Sequence, residues 1–279
     1  MQAMTMLPSL HPIRSGVRAG MLGISLMEVA ASFCVRSLQL GGPRAMTPRK
    51  RAYWLQDAAS TVLRRIGVDV VVDGNPPVHG LEGPGGLVVS NHLSYLDVLA
   101  YASTMPCAFV AKREVRGWPV FGTFATMSGT IYVDRERHAA NGGAARRMEE
   151  ALAAGLRVVL FPEGTSSDGR TALRFHSGFF EPAIRADAMV TAAAIGYASS
   201  TAEEATIAYH GDDVFGPHLM RTVGLRHLKA RLAFATARRY ADRKEAARTT
   251  QAEVQRMRSV VARHSAIAAI DLLRVTSAG

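Results

Sequence analysis

The chain reads as an α/β protein: a single domain with a central mixed sheet flanked by helices, preceded by an N-terminal membrane-associating helical segment. Three observations carry that reading. β-branched runs bounded by Gly and Pro recur, as in VDVVVDG (68–74) and GGLVVS (85–90). Stretches with helical spacing alternate with them, among them LSYLDVLAYAS (93–103) and AARRMEEALAAG (144–155). Connections are short and no internal repeat intervenes, so 279 residues suit one sizeable domain with an appendage.

The elements follow in order. Between Arg18 and Arg36 lies AGMLGISLMEVAASFCV, apolar except for Glu28. It falls short of the roughly 20 apolar residues a spanning helix needs, and its central acid argues against a signal peptide. A basic linker around TPRKR follows, then the strands at 68–74 and 85–90 and the helix at 93–103. CAFVAKREV (107–115) reads as a strand, WPVFGTFATMS (118–128) as a short helix and TIYVDR (130–135) as a strand. The helix at 144–155 is closed by Gly155, and RVVLFPEGT (157–165) is a strand running into a turn. FFEPAIRAD (179–187) reads as a helix, while MVTAAAIGY (189–197), ATIAYHG (205–211) and LKARLAFAT (228–236) read as strands. A long helix begins near Arg243. The organisation is therefore a basic, apolar segment (1–45), a main domain (46–240) and a C-terminal helix (241–279).

Charge narrows the partners. Thirty-three Lys and Arg against 23 Asp and Glu leave a formal net charge of +10, which calls for an anionic partner, nucleic acid or an acidic membrane surface. Up to Arg51 seven basic residues accompany one acid, and arginines flank the apolar run, an arrangement suited to the headgroup layer where they meet anionic lipid. A buried helix of the main domain is the alternative. Aromatic residues make up 7% and form no basic–aromatic stripe for stacking bases, so the membrane surface is preferred over nucleic acid. Two cysteines, Cys34 and Cys107, provide neither a disulfide framework nor a zinc site and fit a reducing, cytoplasmic-side location.

Polar residues gather at three predicted strand ends, where α/β sheets carry their functional groups. After GGLVVS come Asn91, His92, Ser94 and Asp97. With His92 in the turn and Asp97 early in the next helix, the carboxylate meets one imidazole nitrogen and leaves the other as a base. Imidazole ordinarily titrates near about 6.5, which suits proton removal from an alcohol. The same pair also reads as a helix cap in which the two groups satisfy each other. FPEGTSSDG (161–169) places Glu163 at the end of a buried run with no local partner, suited to polyol hydroxyls, with the N–H groups around Gly164 and Thr165 suited to an anion. GTIYVDR (129–135) ends in Asp134 and Arg135, the arginine a natural clamp for phosphate or carboxylate. His210, Asp212 and Asp213 read as a glycine turn closing a strand rather than a metal site.

These residues carry a resemblance. NHLSYLD resembles the N-H-x-x-x-x-D block of the glycerolipid (lysophospholipid) acyltransferases, GTIYVDR their second block and FPEGTSS their third, in the same order and spacing over roughly 85–197. VAKREVRGWPVFG (110–122) resembles the segment joining the first two blocks. The resemblance implies O-acyl transfer from a thioester, acyl-CoA or acyl carrier protein, to the free hydroxyl of a lysolipid such as lysophosphatidic acid. In that scheme His92 is the base, Asp97 orients it, and Arg135, Glu163 and Gly164 position the acceptor. Thr165 and Lys112 join as substrate-binding candidates. No metal or organic cofactor is implied, and the setting is the cytoplasmic face of the inner membrane. Two positions depart from the pattern: Ser166 stands where the third block has Arg, and MVTAAAIGY lacks the fourth block's Pro. Both bear on the acceptor, and NHLSYLD with FPEGTSSDG is similar to the bacterial lyso-ornithine lipid acyltransferase branch. A serine hydrolase would need a G-x-S-x-G elbow, which is absent. The remaining alternative is a non-catalytic lipid-binding protein that keeps the fold.

Overall fold

A computed structural model describes residues 12–74, 76, 85–134 and 138–277. Helix α1 (Pro12–Gln39) and helix α2 (Pro48–Ile66) lead into strand β1 (Val68–Asp73). Strand β2 (Gly86–Ser90), helix α3 (Leu96–Thr104) and strand β3 (Cys107–Lys112) follow, then α4 (Phe121–Met127), β4 (Ile131–Val133), α5 (His138–Ala153) and β5 (Arg157–Leu160). The chain continues through α6 (Glu181–Arg185), β6 (Met189–Ala198), α7 (Glu204–Ile207), α8 (Phe215–Gly224), β7 (Leu228–Phe234) and α9 (Arg243–Ser277).

The seven strands form one mixed sheet in the order β1-β7-β6-β2-β5-β3-β4, antiparallel between β6 and β7 and parallel elsewhere. Alternation along β2 explains the layers: Val88 packs with α2 and α3, whereas Leu87 and Val89 pack with α5 and α9 on the opposite face. β2 lies between β6 and β5 and is buried throughout its apolar residues, as a strand covered on both faces must be. Val89 pairs with Leu160, so the residue three beyond each, His92 and Glu163, leaves the sheet at the same level. The site owes its position to that register.

Three sequence expectations change. TPRKR is not a linker: Thr47 caps α2 by accepting the Lys50 N–H, Pro48 occupies the first turn, and Leu55, Ala59, Val62 and Ile66 form the buried stripe. ATIAYHG is not a strand, because β2 and β7 already occupy both edges of β6; it forms the short α7 and a loop whose Tyr209 N–H donates to the Leu93 carbonyl at 2.7 Å. The apolar run at the N-terminus extends past both flanking arginines into a 28-residue helix, long and apolar enough to cross a bilayer. Its arginines serve the protein rather than the lipid. Arg14 donates to the Gly224 carbonyl, Arg18 to those of Val223 and Leu225, and Arg36 pairs with Asp57. Leu22, Val29 and Phe33 of α1 enter the core, while Ile13, Val17, Ile24 and Met27 on other faces stay exposed.

Candidate active site

The turn after β2 is built to hold an imidazole. Asn91 extends the sheet with its side chain, accepting the Ile195 N–H at 2.9 Å and donating to the Ile195 carbonyl at 3.0 Å, and so anchors the turn to β6. Asp97, fully buried in the first turn of α3, accepts from the Leu93 N–H at 2.7 Å and the Ser94 N–H at 3.0 Å. The same oxygen lies 2.7 Å from His92 Nδ1, and Tyr197 donates its hydroxyl to the other oxygen at 2.6 Å. With two backbone N–H groups and a phenol pointing at it, the carboxylate acts as acceptor, so Nδ1 carries the proton toward Asp97 and Nε2 presents its lone pair. The imidazole ring stacks on Phe161, with centroids 4.1 Å apart and planes 11° apart, and its side chain keeps 23% exposure. Capping and orientation of His92 are both present: one carboxylate does both.

Glu163 stands beside this pair, and among the described residues no ion pair reaches it. One oxygen accepts the His92 N–H at 3.3 Å and the other the Leu173 N–H at 3.0 Å, and only 4% of the residue is exposed. Burial pushes its carboxyl up to about 7, against the opposing pull of those two N–H groups. Ser167 N–H donates to the His92 carbonyl at 2.9 Å, so the first and third blocks are tied in both directions.

The other expected residues divide. Gly164 takes φ +73°, a left-handed turn that suits glycine, but its N–H is committed to the Phe161 carbonyl rather than open to an anion. Thr165 is exposed next to it. Lys112 is exposed at the end of β3, separated from β2 by β5, and does not join the cluster. Arg135 lies outside the described residues. Ser166 donates its hydroxyl to the Tyr209 carbonyl, drawing the loop after α7 onto the third block. Asp213 closes the HGDD turn by accepting the His210 N–H and pairing with Arg221.

Several supporting residues were not singled out from sequence. Tyr197 had a signal: a tyrosine ending a buried apolar strand needs a partner for its hydroxyl. Gln251 and Gln255 of α9 had none. They accept the N–H groups of Phe175 (3.2 Å) and Ala172 (2.7 Å), on either side of Leu173. Arg258, on the same helix face, is buried against Glu204, whose other oxygen accepts the Tyr197 N–H.

A mostly parallel sheet with an oriented histidine at the end of its central strand, pinned by a buried acid, is an arrangement chemically able to remove a proton in group transfer. A family model described as Acyltransferase matches residues 70–196. The 1-acyl-sn-glycerol-3-phosphate acyltransferase of Neisseria meningitidis serogroup B is 31% identical over 67% of this chain and 72% of that protein. The lyso-ornithine lipid O-acyltransferase of Rhizobium meliloti is 30% identical over 78% of this chain and 76% of its own length. The crystal structure of the 1-acyl-sn-glycerophosphate acyltransferase from Thermotoga maritima shares the fold, with a TM-score of 0.63 over 88% of this chain and 97% of that one at 18% identity. The chain belongs to the acyltransferase family.

Proposed function

We propose that this acyltransferase moves a fatty acyl chain from an acyl thioester, acyl-CoA or acyl carrier protein, to the free hydroxyl of a lysolipid in membrane lipid synthesis. One observation carries the reading: His92 Nδ1 is held at 2.7 Å by a buried, fully engaged Asp97, which leaves Nε2 as the nitrogen that faces a substrate. Nε2 takes the acceptor hydroxyl proton as the oxygen attacks the thioester carbonyl. Collapse of the tetrahedral intermediate breaks the C–S bond, and the imidazolium returns the proton to the departing thiolate. Asp97 stabilises the imidazolium between the two steps. Glu163 holds the His92 backbone and the loop that carries Leu173 in one register, which suits the acceptor-positioning role expected of it.

The names of the relatives support a lysolipid acceptor, and Ser166 bears on its headgroup. At the position where the third block resembles a family Arg, a hydroxyl bound to the Tyr209 carbonyl supplies no cation for a bare phosphate. That favours lyso-ornithine lipid over lysophosphatidic acid. The exposed apolar face of α1 supports a location on the membrane, with the catalytic domain on its cytoplasmic side. The test is acyl transfer from a labelled thioester to lyso-ornithine lipid, lysophosphatidic acid and lysophosphatidylethanolamine offered in parallel, with His92→Ala as control. Transfer that depends on His92 and prefers lyso-ornithine lipid is expected. Preference for lysophosphatidic acid would overturn the headgroup reading. A His92→Ala variant as active as the wild type would overturn the catalytic one, and lipid binding without transfer would point to the non-catalytic alternative.

A further inference from the structure

The segment between α3 and β4 does something the chemistry above does not use. After β3 the chain forms a single turn at Arg113–Gly117 and then passes through Trp118, Pro119 and Val120 into α4. Val120 has φ +63° and ψ −60°, and the Phe121 N–H donates to the Pro119 carbonyl at 2.6 Å, which makes Pro119–Phe121 a γ-turn. A β-branched side chain strongly disfavours that backbone, and such strain persists where the surroundings impose it, typically at functional sites. Here the imposing contact is close packing at Gly122, where a Cβ would lie 2.3 Å from the Arg116 carbonyl. The strained turn turns apolar groups outward. Trp118 is 39% exposed, Val120 is 51% exposed, and Val214, at the start of α8, is 68% exposed.

This tip is connected to the site by rings. Phe215, directly after Val214, lies 6.1 Å from Trp118, 5.0 Å from Phe121 and 5.0 Å from Tyr95. Tyr95 in turn packs on Tyr209 at 5.7 Å, and the backbone of Tyr209 is bonded to that of Leu93, the neighbour of His92. Charge indicates what lies beyond the tip. Lys112, Arg113 and Arg116 are exposed along its base against one acid, Glu114, and Arg113 reaches Asp134 at 3.4 Å. Among the described residues no ion pair involves Lys112 or Arg116. The other end of α8 holds α1, through Arg14 and Arg18, and Met220 is exposed between the two ends. A tryptophan with aliphatic neighbours above a row of cations matches the boundary between acyl chains and anionic headgroups.

We propose that Trp118, Val120 and Val214 form a second membrane-contact tip, separate from α1, which enters an anionic bilayer beside the site and brings the mouth of that site to the acceptor. The inference rests on the reading that the acceptor is a bilayer lipid, but its physical test does not require catalysis. The chain has two tryptophans, and Trp54 is buried with its indole N–H bonded to Ser32. The difference in emission between wild type and Trp118→Phe therefore reports Trp118. On addition of phosphatidylglycerol–phosphatidylcholine vesicles this component is expected to shift to the blue and to be quenched by lipids brominated on their acyl chains. A Trp118 component that ignores both would overturn the proposal.

A second measurement uses Val120→Asp combined with Val214→Asp. Acyl transfer to acceptor embedded in vesicles should fall by about tenfold, the equivalent of losing one apolar anchor, while transfer to the same acceptor dispersed in detergent is retained. Equal activity of variant and wild type on vesicles would overturn the proposal, as would an equal fall in detergent. Val120→Gly adds a signature that a purely structural turn would not give: its melting temperature should rise because the strain is relieved, yet its activity on vesicles should fall. Quenching of Trp118 in a protein that transfers no acyl group in any presentation would support the tip and refute the acyltransfer reading, so the two failures are distinguishable.

Discussion

Replacing Glu163 with Gln tests the electrostatics of the site through stability alone. Burial lifts the folded carboxyl from 4.5 to about 7, which at about 1.4 kcal/mol per pH unit corresponds to about 3 kcal/mol. The sign follows from proton counting. Between pH 4.5 and about 7 the unfolded chain has already released this proton while the folded protein retains it, so stability is full below the lower value and falls as pH rises through the upper one. Glutamine carries no such slope. It keeps one oxygen for an N–H donor but turns an NH₂ toward the other, a loss of about 1–2 kcal/mol at every pH. The variant should therefore be less stable than wild type at pH 4.5 and more stable at pH 8, and the two curves should cross between. Urea unfolding in detergent, followed by far-UV circular dichroism at several pH values, measures this directly, provided the denaturant slopes agree. Parallel stability curves would refute the claim that burial sets the Glu163 carboxyl.

Two further outcomes are expected at the same site. Asp97→Asn should lower transfer by about 10²–10⁴ in kcat, because an amide does not fix the imidazole tautomer; steady-state rates in membranes check this. Gln255→Ala leaves the Ala172 N–H without its acceptor, at about 1–2 kcal/mol, and should raise the acceptor KM more than it lowers kcat. Gln251→Ala, whose bond is 3.2 Å rather than 2.7 Å, should do so more weakly.

What the sequence determined by itself is local. The alternation of strand and helix, and the pairing of His92 with Asp97 across one turn, need only a few residues of chain, because a strand leading through a short turn into a helix brings positions five apart together. The N-terminal helix is legible as apolar, but the sequence does not reveal its full length, nor that Arg36 pairs with Asp57 and that Arg14 and Arg18 donate to carbonyls about 200 residues away at the end of α8. The strand expected at 205–211 failed for a related reason: its composition allows a strand, but both edges of the preceding strand β6 are taken by β2 and β7. Only the tertiary structure set Glu163 beside His92, by pairing β2 with β5 across 71 residues. It alone closed Tyr197 onto Asp97 from β6 and brought the glutamines of α9 against the segment around Leu173. Local propensity settles which groups are available, whereas strand order and register settle which of them share a site.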